Sequence, residues 1–111
     1  MEIARTVVNA LEEKKGEDIL LLDIHEIAYF ADYFVICSAT SDRMLQALAD
    51  AVQEQVKKIH SVIGRVEGSS NYGWVLVDFG DVVLHLFSPE RRDYYRLEEL
   101  WGLGKILLHL Q

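Results

Sequence analysis

The sequence has little cysteine and little proline, and it has no long apolar run. Its 111 residues include one cysteine, Cys37, and one proline, Pro89. A lone cysteine excludes an internal disulfide or a thiolate metal cage within the chain, which favours a reducing compartment. No run of about 18 apolar residues is present to cross a membrane, and the acidic N-terminal segment is unlike a secretory signal. We therefore expect a cytoplasmic protein without a membrane partner.

Basic residues are also few relative to acidic ones. The chain has 11 lysines and arginines against 18 aspartates and glutamates, a formal net charge of -7. Phosphate backbones are bound chiefly by lysine and arginine, so general nucleic-acid binding is disfavoured. An acidic surface is better matched to a basic protein partner, because opposite charge raises the encounter rate and rejects wrong partners.

The length and composition are those of an ordered globular protein. Hydrophobic residues make up 50% of the chain and charged residues 26%, which is ordinary for a folded domain. A chain of this size buries roughly two thirds of its unfolded surface, enough for one core. We expect a single domain over residues 1–111.

Two amphipathic helices are predicted from apolar spacing. The first covers about residues 3–15, and we expect Gly16 to end it. The second covers residues 41–59, where apolar side chains follow helical spacing behind a cap at Thr40 or Ser41. A third helix is predicted separately, further along the chain.

Short apolar runs predict the strands. Residues 18–24 (DILLLDI) and residues 33–39 (YFVICSA) are short and rich in apolar types. Residues 60–73 contain three glycines, and we predict at most a short strand around residues 63–66 followed by a mobile loop. Residues 74–87 consist of two apolar runs around the turn sequence DFGD, which predicts a β-hairpin.

The last part of the chain predicts the third helix and completes the order of elements. Ser88, Pro89 and Glu90 combine a cap, a first-turn proline and a first-turn acid, so a helix should begin there. The sequence GLG at residues 102–104 should end it, while the conformation of residues 102–111 stays undecided. The order of helices and strands predicts the α/β class, with one mixed β-sheet flanked by helices.

Two aspartates, Asp78 and Asp81, flank the predicted hairpin turn and raise the question of a metal site. A carboxylate pair can hold magnesium in an enzyme. Aspartate and glycine are also the residues that a tight turn requires for its backbone. No third carboxylate, lysine or glycine-rich phosphate cradle accompanies the pair, so we favour the turn and predict no metal.

His85 lies within an apolar strand and could be a catalytic base, a metal ligand, a partner contact or a packed residue. A base requires a partner within hydrogen-bond reach. The other histidines, His25, His60 and His109, lack the spacing of a zinc site, and Cys37 has no electropositive surroundings that would activate it. The residues alone therefore indicate no catalytic site and no cofactor, which leaves an interaction protein by elimination.

Several sequence motifs together resemble the ribosomal silencing factor family, also known as RsfS or Iojap-like proteins. The resemblance spans about residues 3–101 and includes the segments ADYFVI and CSATS and the pair Glu67-Gly68. Its most specific part is an ordered string that joins the hairpin to the next helix: Trp74, Asp78, Gly80, Asp81, Val82, His85, Arg92, Tyr95, Leu97, Glu98, Leu100 and Trp101.

The resemblance implies a fold and a function. It implies a small α/β domain similar in topology to nucleotidyltransferases but without their catalytic residues, and no enzyme activity. It also implies binding to the large ribosomal subunit through the basic ribosomal protein number fourteen, which blocks joining of the small subunit and represses translation. The alternatives are a large-subunit assembly factor and a nucleotidyltransferase-like nucleotide- or metal-binding protein, and the sequence leaves a homodimer open.

We predict the partner-binding surface on the hairpin and the start of the last helix, because large apolar groups and charges are interleaved there. Tryptophan, tyrosine and arginine are frequent interface hot spots. On this prediction His85 lies at or beside the binding face, and a core position for Trp74 is the competing interpretation. The residues predicted to form the surface are Trp74, Leu76, Asp78, Asp81, Val83, His85, Phe87, Arg92 and Tyr95.

Overall fold

A computed structural model describes residues 2–26, 28–90 and 105–110. The third predicted helix is described only at its start, where Pro89 and Glu90 have helical backbone as predicted. Its remainder lies outside the described residues, together with Arg92 and Tyr95. The other helices and strands run as follows: α1 Glu2–Glu13, β1 Glu17–Asp23, β2 Tyr33–Ser38, α2 Asp42–His60, β3 Arg65–Ser69, a 3-10 helix Ser70–Tyr72, β4 Trp74–Asp78, β5 Val82–Phe87 and β6 Lys105–Leu110.

The strands form one mixed sheet in the order β3-β4-β5-β2-β1-β6. Strands β2 and β5 are parallel, and the other neighbouring pairs are antiparallel. A parallel pair needs a long crossover connection, and α2 lies within the chain segment that joins β2 to β5. The predicted α/β class with a mixed sheet flanked by helices is confirmed. The nucleotidyltransferase-like topology and the extent of the domain stay predictions.

Helices α1 and α2 pack on one face of the sheet. Val7 and Leu11 of α1 are buried with Leu48 and Val52 of α2 in the same apolar cluster as Leu84 of β5. Each fully buried valine or leucine side chain stabilises the fold by roughly 1.5–3 kcal/mol. The amphipathic spacing that predicted the two helices therefore corresponds to the apolar face that each helix buries against the sheet. Among the described helices, none is long and apolar enough to cross a membrane.

The start of α2 and the end of α1 are each fixed by specific hydrogen bonds. Ser41, one of the two predicted caps, begins α2 because its hydroxyl accepts a hydrogen bond from the backbone N–H of Met44 at 3.1 Å. Helix α1 ends at Glu13, and Lys15 rather than Gly16 takes the left-handed conformation, with φ 63°. The helix therefore ends just before Gly16, the residue expected to end it, but the left-handed position belongs to Lys15.

Space, not backbone freedom, requires the glycine at position 16. A Cβ atom there would lie 2.5 Å from the Sγ atom of Cys37 and 3.2 Å from the carbonyl oxygen of Leu11. The Gly16 N–H donates to that Leu11 carbonyl at 2.8 Å, while the Lys15 N–H donates to the Glu12 carbonyl at 3.0 Å. This is the paired hydrogen bonding of a Schellman motif. The motif turns the chain directly from α1 towards β1.

Strand β3 is longer than predicted and begins later in the sequence. It pairs with β4 from Arg65↔Asp78 to Ser69↔Trp74, where the sequence predicted a loop after residue 66. A 3-10 helix follows, and the Ser69 hydroxyl caps it by accepting from the Asn71 N–H at 3.2 Å. The side chains of β3 are mostly exposed, so the strand lacks the apolar alternation on which the prediction relied.

The C-terminal apolar segment forms β6, whose conformation the sequence left undecided. It pairs antiparallel with β1, from Ile19↔Leu110 to Asp23↔Lys105. A short apolar run does not distinguish a strand from a buried helix by periodicity. The pairing with β1 supplies the long-range contact that decides between them.

Candidate partner-binding surface

The face of the sheet opposite α1 and α2 carries a second apolar cluster. It includes Leu20, Leu22 and Ile36 on the inner strands, with Val83 and Phe87 on β5. These residues alternate along their strands with those that face the helices, as side chains on a pleated strand must. Trp74 and Leu76 pack against the cluster from β4. Four of the predicted hairpin residues, Trp74, Leu76, Val83 and Phe87, therefore belong to this second face.

The hairpin register pairs the predicted residues of β4 with those of β5. Trp74 lies opposite Phe87, Leu76 opposite His85, and Asp78 opposite Val83. Residues directly opposite each other in an antiparallel pair point to the same face and touch. Alternation along a strand places the three β4 residues on one face and the three β5 residues on one face, and the register brings the two sets together.

A row of rings crosses this face from β4 to β2. The rings of Trp74 and Phe87 stack with 6.2 Å between centroids and 9° between planes. The His85 imidazole is parallel to Phe87 at 6.1 Å, with 3° between planes, and meets Phe34 edge-on at 4.7 Å. Aromatic pairs favour such offset and edge contacts.

The row continues into the loop between β1 and β2, where the sequence analysis identified no site residue. Phe30 lies 6.0 Å from Phe34, and Tyr29 lies 6.1 Å from Phe30 in an edge-on contact. Phe30 is 60% exposed and Tyr29 is fully exposed. We name the six residues Tyr29, Phe30, Phe34, His85, Phe87 and Trp74 the aromatic row. The sequence signal that could have identified this part of the row is the pair of consecutive aromatic residues, Tyr29 and Phe30, shortly before Asp32.

Burial divides the predicted hairpin residues into two groups. Val83, His85 and Phe87 of β5 are buried, with 8% exposure at most. On β4, Trp74, Leu76 and Asp78 are half-buried, and Asp81 in the turn is exposed. The β4 residues and Asp81 can therefore touch a partner directly, while the three β5 residues beside them on the same face are covered.

His85 is the polar member of the aromatic row. Neither ring nitrogen has a hydrogen-bond partner among the described residues. Burial lowers the pKa of His85 to about 4, so the ring is neutral near pH 7. A neutral, covered imidazole without a hydrogen-bonded partner lacks the geometry of a general base. Its contacts with Phe34 and Phe87 instead make it a packing residue of the row.

The carboxylate of Asp78 shapes the hairpin turn. Its Oδ1 atom accepts a hydrogen bond from the Gly80 N–H at 2.8 Å, and Gly80 has a φ of 95°, which favours glycine. The turn closes with a hydrogen bond from the Phe79 N–H to the Val82 carbonyl at 2.9 Å. The favoured interpretation of DFGD as a turn is confirmed for Asp78. No group of three or more His, Cys, Asp or Glu side chains in the described part of the chain could hold a metal ion.

Asp81 joins the hairpin turn to the start of β2. Its backbone carbonyl accepts hydrogen bonds from the N–H groups of Asp32, at 2.8 Å, and Tyr33, at 3.0 Å. The exposed Asp81 side chain takes no part in these bonds. A substitution of the side chain can therefore change the surface charge without removing the contact between the two segments.

Comparison with known proteins shows the family of the chain. A family model described as ribosomal silencing factor during starvation matches residues 1–108. The chain belongs to this family. It is 43% identical to ribosomal silencing factor RsfS of Bacillus subtilis over 90% of this chain and 85% of that protein. Family members are named for a regulatory role on the ribosome and not for an enzymatic reaction.

Solved structures and organellar relatives of the silencing factor family extend the comparison. A crystal structure of a Chromobacterium violaceum protein superposes with a TM-score of 0.86 at 40% identity, over 91% of this chain and 84% of that one. The mouse protein named mitochondrial assembly of ribosomal large subunit protein 1 is 35% identical over 87% of this chain and 44% of its own length. The relatives of this chain therefore include a protein named for large-subunit assembly as well as proteins named for silencing.

Proposed function

We propose that this protein is a ribosomal silencing factor that binds the large ribosomal subunit and sterically blocks its association with the small subunit, so that translation is repressed. The observation that supports this proposal is the family match over residues 1–108. The docking partner that we propose is the large-subunit ribosomal protein number fourteen, as the resemblance implies. The mechanism is non-enzymatic, because occupancy of a shared surface suffices to exclude the small subunit.

The charge of the chain supports a protein partner. A net charge of -7 opposes direct binding to ribosomal RNA, where lysine and arginine must neutralise phosphates. The same charge steers the protein towards a basic ribosomal protein and disfavours like-charged partners. The charge therefore supports a basic protein surface as the proposed docking site.

The hairpin supplies the proposed contact surface. Trp74 and Leu76 are half-buried, which leaves part of each side chain available as an apolar anchor. Asp81 provides exposed negative charge at the turn, and Asp78 contributes less because its Oδ2 atom accepts from the Arg65 guanidinium at 3.3 Å. The buried residues Val83, His85 and Phe87 pack beside the β4 side chains from the neighbouring strand and support them. Arg92 and Tyr95, which lie outside the described residues, complete the proposed surface.

A role in assembly of the large subunit is the second candidate. The mouse relative carries this role in its name. Both roles require docking on the large subunit, and they differ in whether mature subunits are prevented from joining. A subunit-joining assay therefore separates them.

Co-sedimentation with purified ribosomal particles tests the proposal. We expect the wild-type protein to sediment with large subunits and not with small subunits or joined ribosomes. Asp81→Lys should weaken this binding by at least about tenfold, because a like charge is placed against a basic partner. Asp50→Lys is the matched control, because Asp50 is exposed on α2, which packs against the opposite face of the sheet.

The joining assay completes the test. Saturating wild-type protein should prevent large and small subunits from forming joined ribosomes, and Asp81→Lys should restore joining at equal concentration. Binding without any effect on joining would favour the assembly role. No binding to any particle, together with magnesium-dependent nucleotide binding in calorimetry, would overturn the ribosomal proposal in favour of the nucleotidyltransferase-like alternative.

A further inference from the structure

Two adjacent aromatic side chains protrude from the loop between β1 and β2. Tyr29 is fully exposed and Phe30 is 60% exposed. Exposed apolar residues are common singly, but tyrosine and phenylalanine side by side form a large rigid contact area at a low cost in side-chain entropy. We name these two residues the aromatic lip.

The aromatic lip is physically continuous with the hairpin. Phe30 lies 6.0 Å from Phe34, and Phe34 lies 4.7 Å from His85 on β5. His85 in turn lies opposite Leu76, one of the proposed contact residues on β4. A partner seated on β4 therefore has the aromatic lip at the far end of the same row of rings.

Carboxylates accompany the aromatic lip. Glu26 and Asp32 lie in the same loop with exposed side chains. The pKa of His25 in this loop is raised, chiefly by its hydrogen bond with Asp23, and the charges of Glu26 and Asp32 add to the effect. Asp23 also lies near Lys105 of β6. Glu26 and Asp32 are therefore the carboxylates best placed to act on a group that arrives from outside.

We propose that the aromatic lip, with Glu26 and Asp32 around it, binds a lysine or arginine side chain of the basic protein on which the hairpin docks. The proposal rests on the proposed function and names a second contact that the sequence analysis missed. Cations are attracted to the faces of aromatic rings, and arginine also stacks on them. Nearby carboxylates strengthen the attraction for a cation.

The same carboxylates argue against an RNA base as the occupant. Aromatic side chains stack on nucleic-acid bases wherever a positive groove follows the phosphate backbone. At the aromatic lip the exposed carboxylates Glu26 and Asp32 and the nearby Asp23 outnumber the one histidine of the loop, His25, so phosphates are disfavoured. Removal of the negative charge should weaken binding if the occupant is a lysine or arginine side chain, and should strengthen it if the occupant is RNA.

Substitution of the rings tests the first part of the proposal. Tyr29→Leu should weaken binding to purified large subunits about two- to fivefold, and Tyr29→Leu combined with Phe30→Leu about tenfold, because leucine keeps apolar area but has no aromatic face. Tyr29→Phe should bind as the wild type does. Tyr72→Leu is the control, because Tyr72 is 69% exposed and lies in the cleft at the start of α2 with Thr40 and Asp42.

Removal of the carboxylates tests the second part. Glu26→Gln with Asp32→Asn should weaken binding by about two- to fivefold at low salt and by less at high salt, since screening shortens the reach of exposed charges. Tighter binding of this variant would overturn the proposal and indicate an RNA occupant. Unchanged binding of the leucine variants, with Asp81→Lys still defective, would overturn the aromatic lip alone. Failure of the wild-type protein to bind would overturn the proposed function itself.

Discussion

The ring of Phe34 meets the imidazole of His85 edge-on, with 4.7 Å between centroids and 71° between planes. Phe34 belongs to β2 and His85 to β5, the parallel pair at the centre of the sheet. The contact links the hairpin to the strand that follows the aromatic lip. It also holds an imidazole in an apolar site where neither ring nitrogen has a described hydrogen-bond partner.

Replacement of His85 by phenylalanine should stabilise the fold. Burial of a polar group without a hydrogen bond costs about 1–3 kcal/mol, and an apolar ring of similar shape removes that cost while it keeps the stacking. We expect His85→Phe to raise the free energy of unfolding in urea by about 1 kcal/mol. His85→Asn should lower it by about 2 kcal/mol, because the amide is also polar and the ring contacts are lost. A destabilised phenylalanine variant would show that the imidazole has a partner in solution.

Acid should destabilise the protein through His85. Burial lowers the pKa of His85 to about 4, whereas the ordinary value is about 6.5. Between these pH values the unfolded chain binds a proton at this residue that the folded protein does not, so stability falls as the pH falls. The loss from pH 7 to pH 4 should be about 3 kcal/mol.

The measurement is the free energy of unfolding of the wild type minus that of His85→Phe at each pH. Carboxylates titrate equally in both proteins, so the difference isolates the histidine. The difference should change mainly between pH 6.5 and 4 and level off below. A difference that is constant with pH would mean that the imidazole is solvated or paired in the folded state.

The shared face of the hairpin residues could be predicted from the sequence, but their burial could not. Strict alternation around DFGD places Trp74 and Leu76 on one face and His85 and Phe87 on one face. Period-two alternation shows which side chains share one face of a strand. It does not show whether other residues cover that face. The division between half-buried β4 and buried β5 depends on contacts across the sheet, which no local pattern contains.

The conformations of the two edge strands, β3 and β6, also could not be predicted from local sequence patterns alone. Strand β3 has few buried side chains, so its sequence, RVEGS, resembles a loop. Strand β6 is apolar throughout most of its length, so its sequence, KILLHL, fits a helix or a strand. Pairing with β4 and with β1 decides both conformations. The helices needed no such contact, because their apolar spacing records the face that they bury.

Gly68 and Gly80 form a matched pair of glycines with positive φ, 84° and 95°. A Cβ atom at Gly68 would lie 2.4 Å from the carbonyl oxygen of Trp74, whereas a Cβ atom at Gly80 would meet nothing within 4 Å. Gly80→Ala should therefore cost only backbone strain, about 1 kcal/mol. Gly68→Ala adds a clash with backbone and should cost about 3 kcal/mol.

Hydrogen exchange should show which part of the sheet is destabilised by Gly68→Ala. In Gly68→Ala we expect faster exchange at the amides that join β3 to β4, because the clash lies between these strands. In Gly80→Ala the pairing of β3 with β4 should keep its protection. Equal losses of stability in the two variants would contradict the steric role assigned to Gly68.

Gly16 and Cys37 form a tight contact between the end of α1 and β2. A Cβ atom at Gly16 would lie 2.5 Å from the buried Sγ atom of Cys37. Gly16→Ala should lower the free energy of unfolding by about 2 kcal/mol, the typical cost of forcing extra volume into a packed interior. Cys37→Ala removes the sulfur atom and makes room for the new methyl group. The double variant should therefore be more stable than the sum of the single losses implies, by about 1 kcal/mol in a double-mutant cycle of urea unfolding. Additive losses would mean that the new Cβ clashes mainly with the Leu11 carbonyl, 3.2 Å away, and that the glycine is required by the helix end itself.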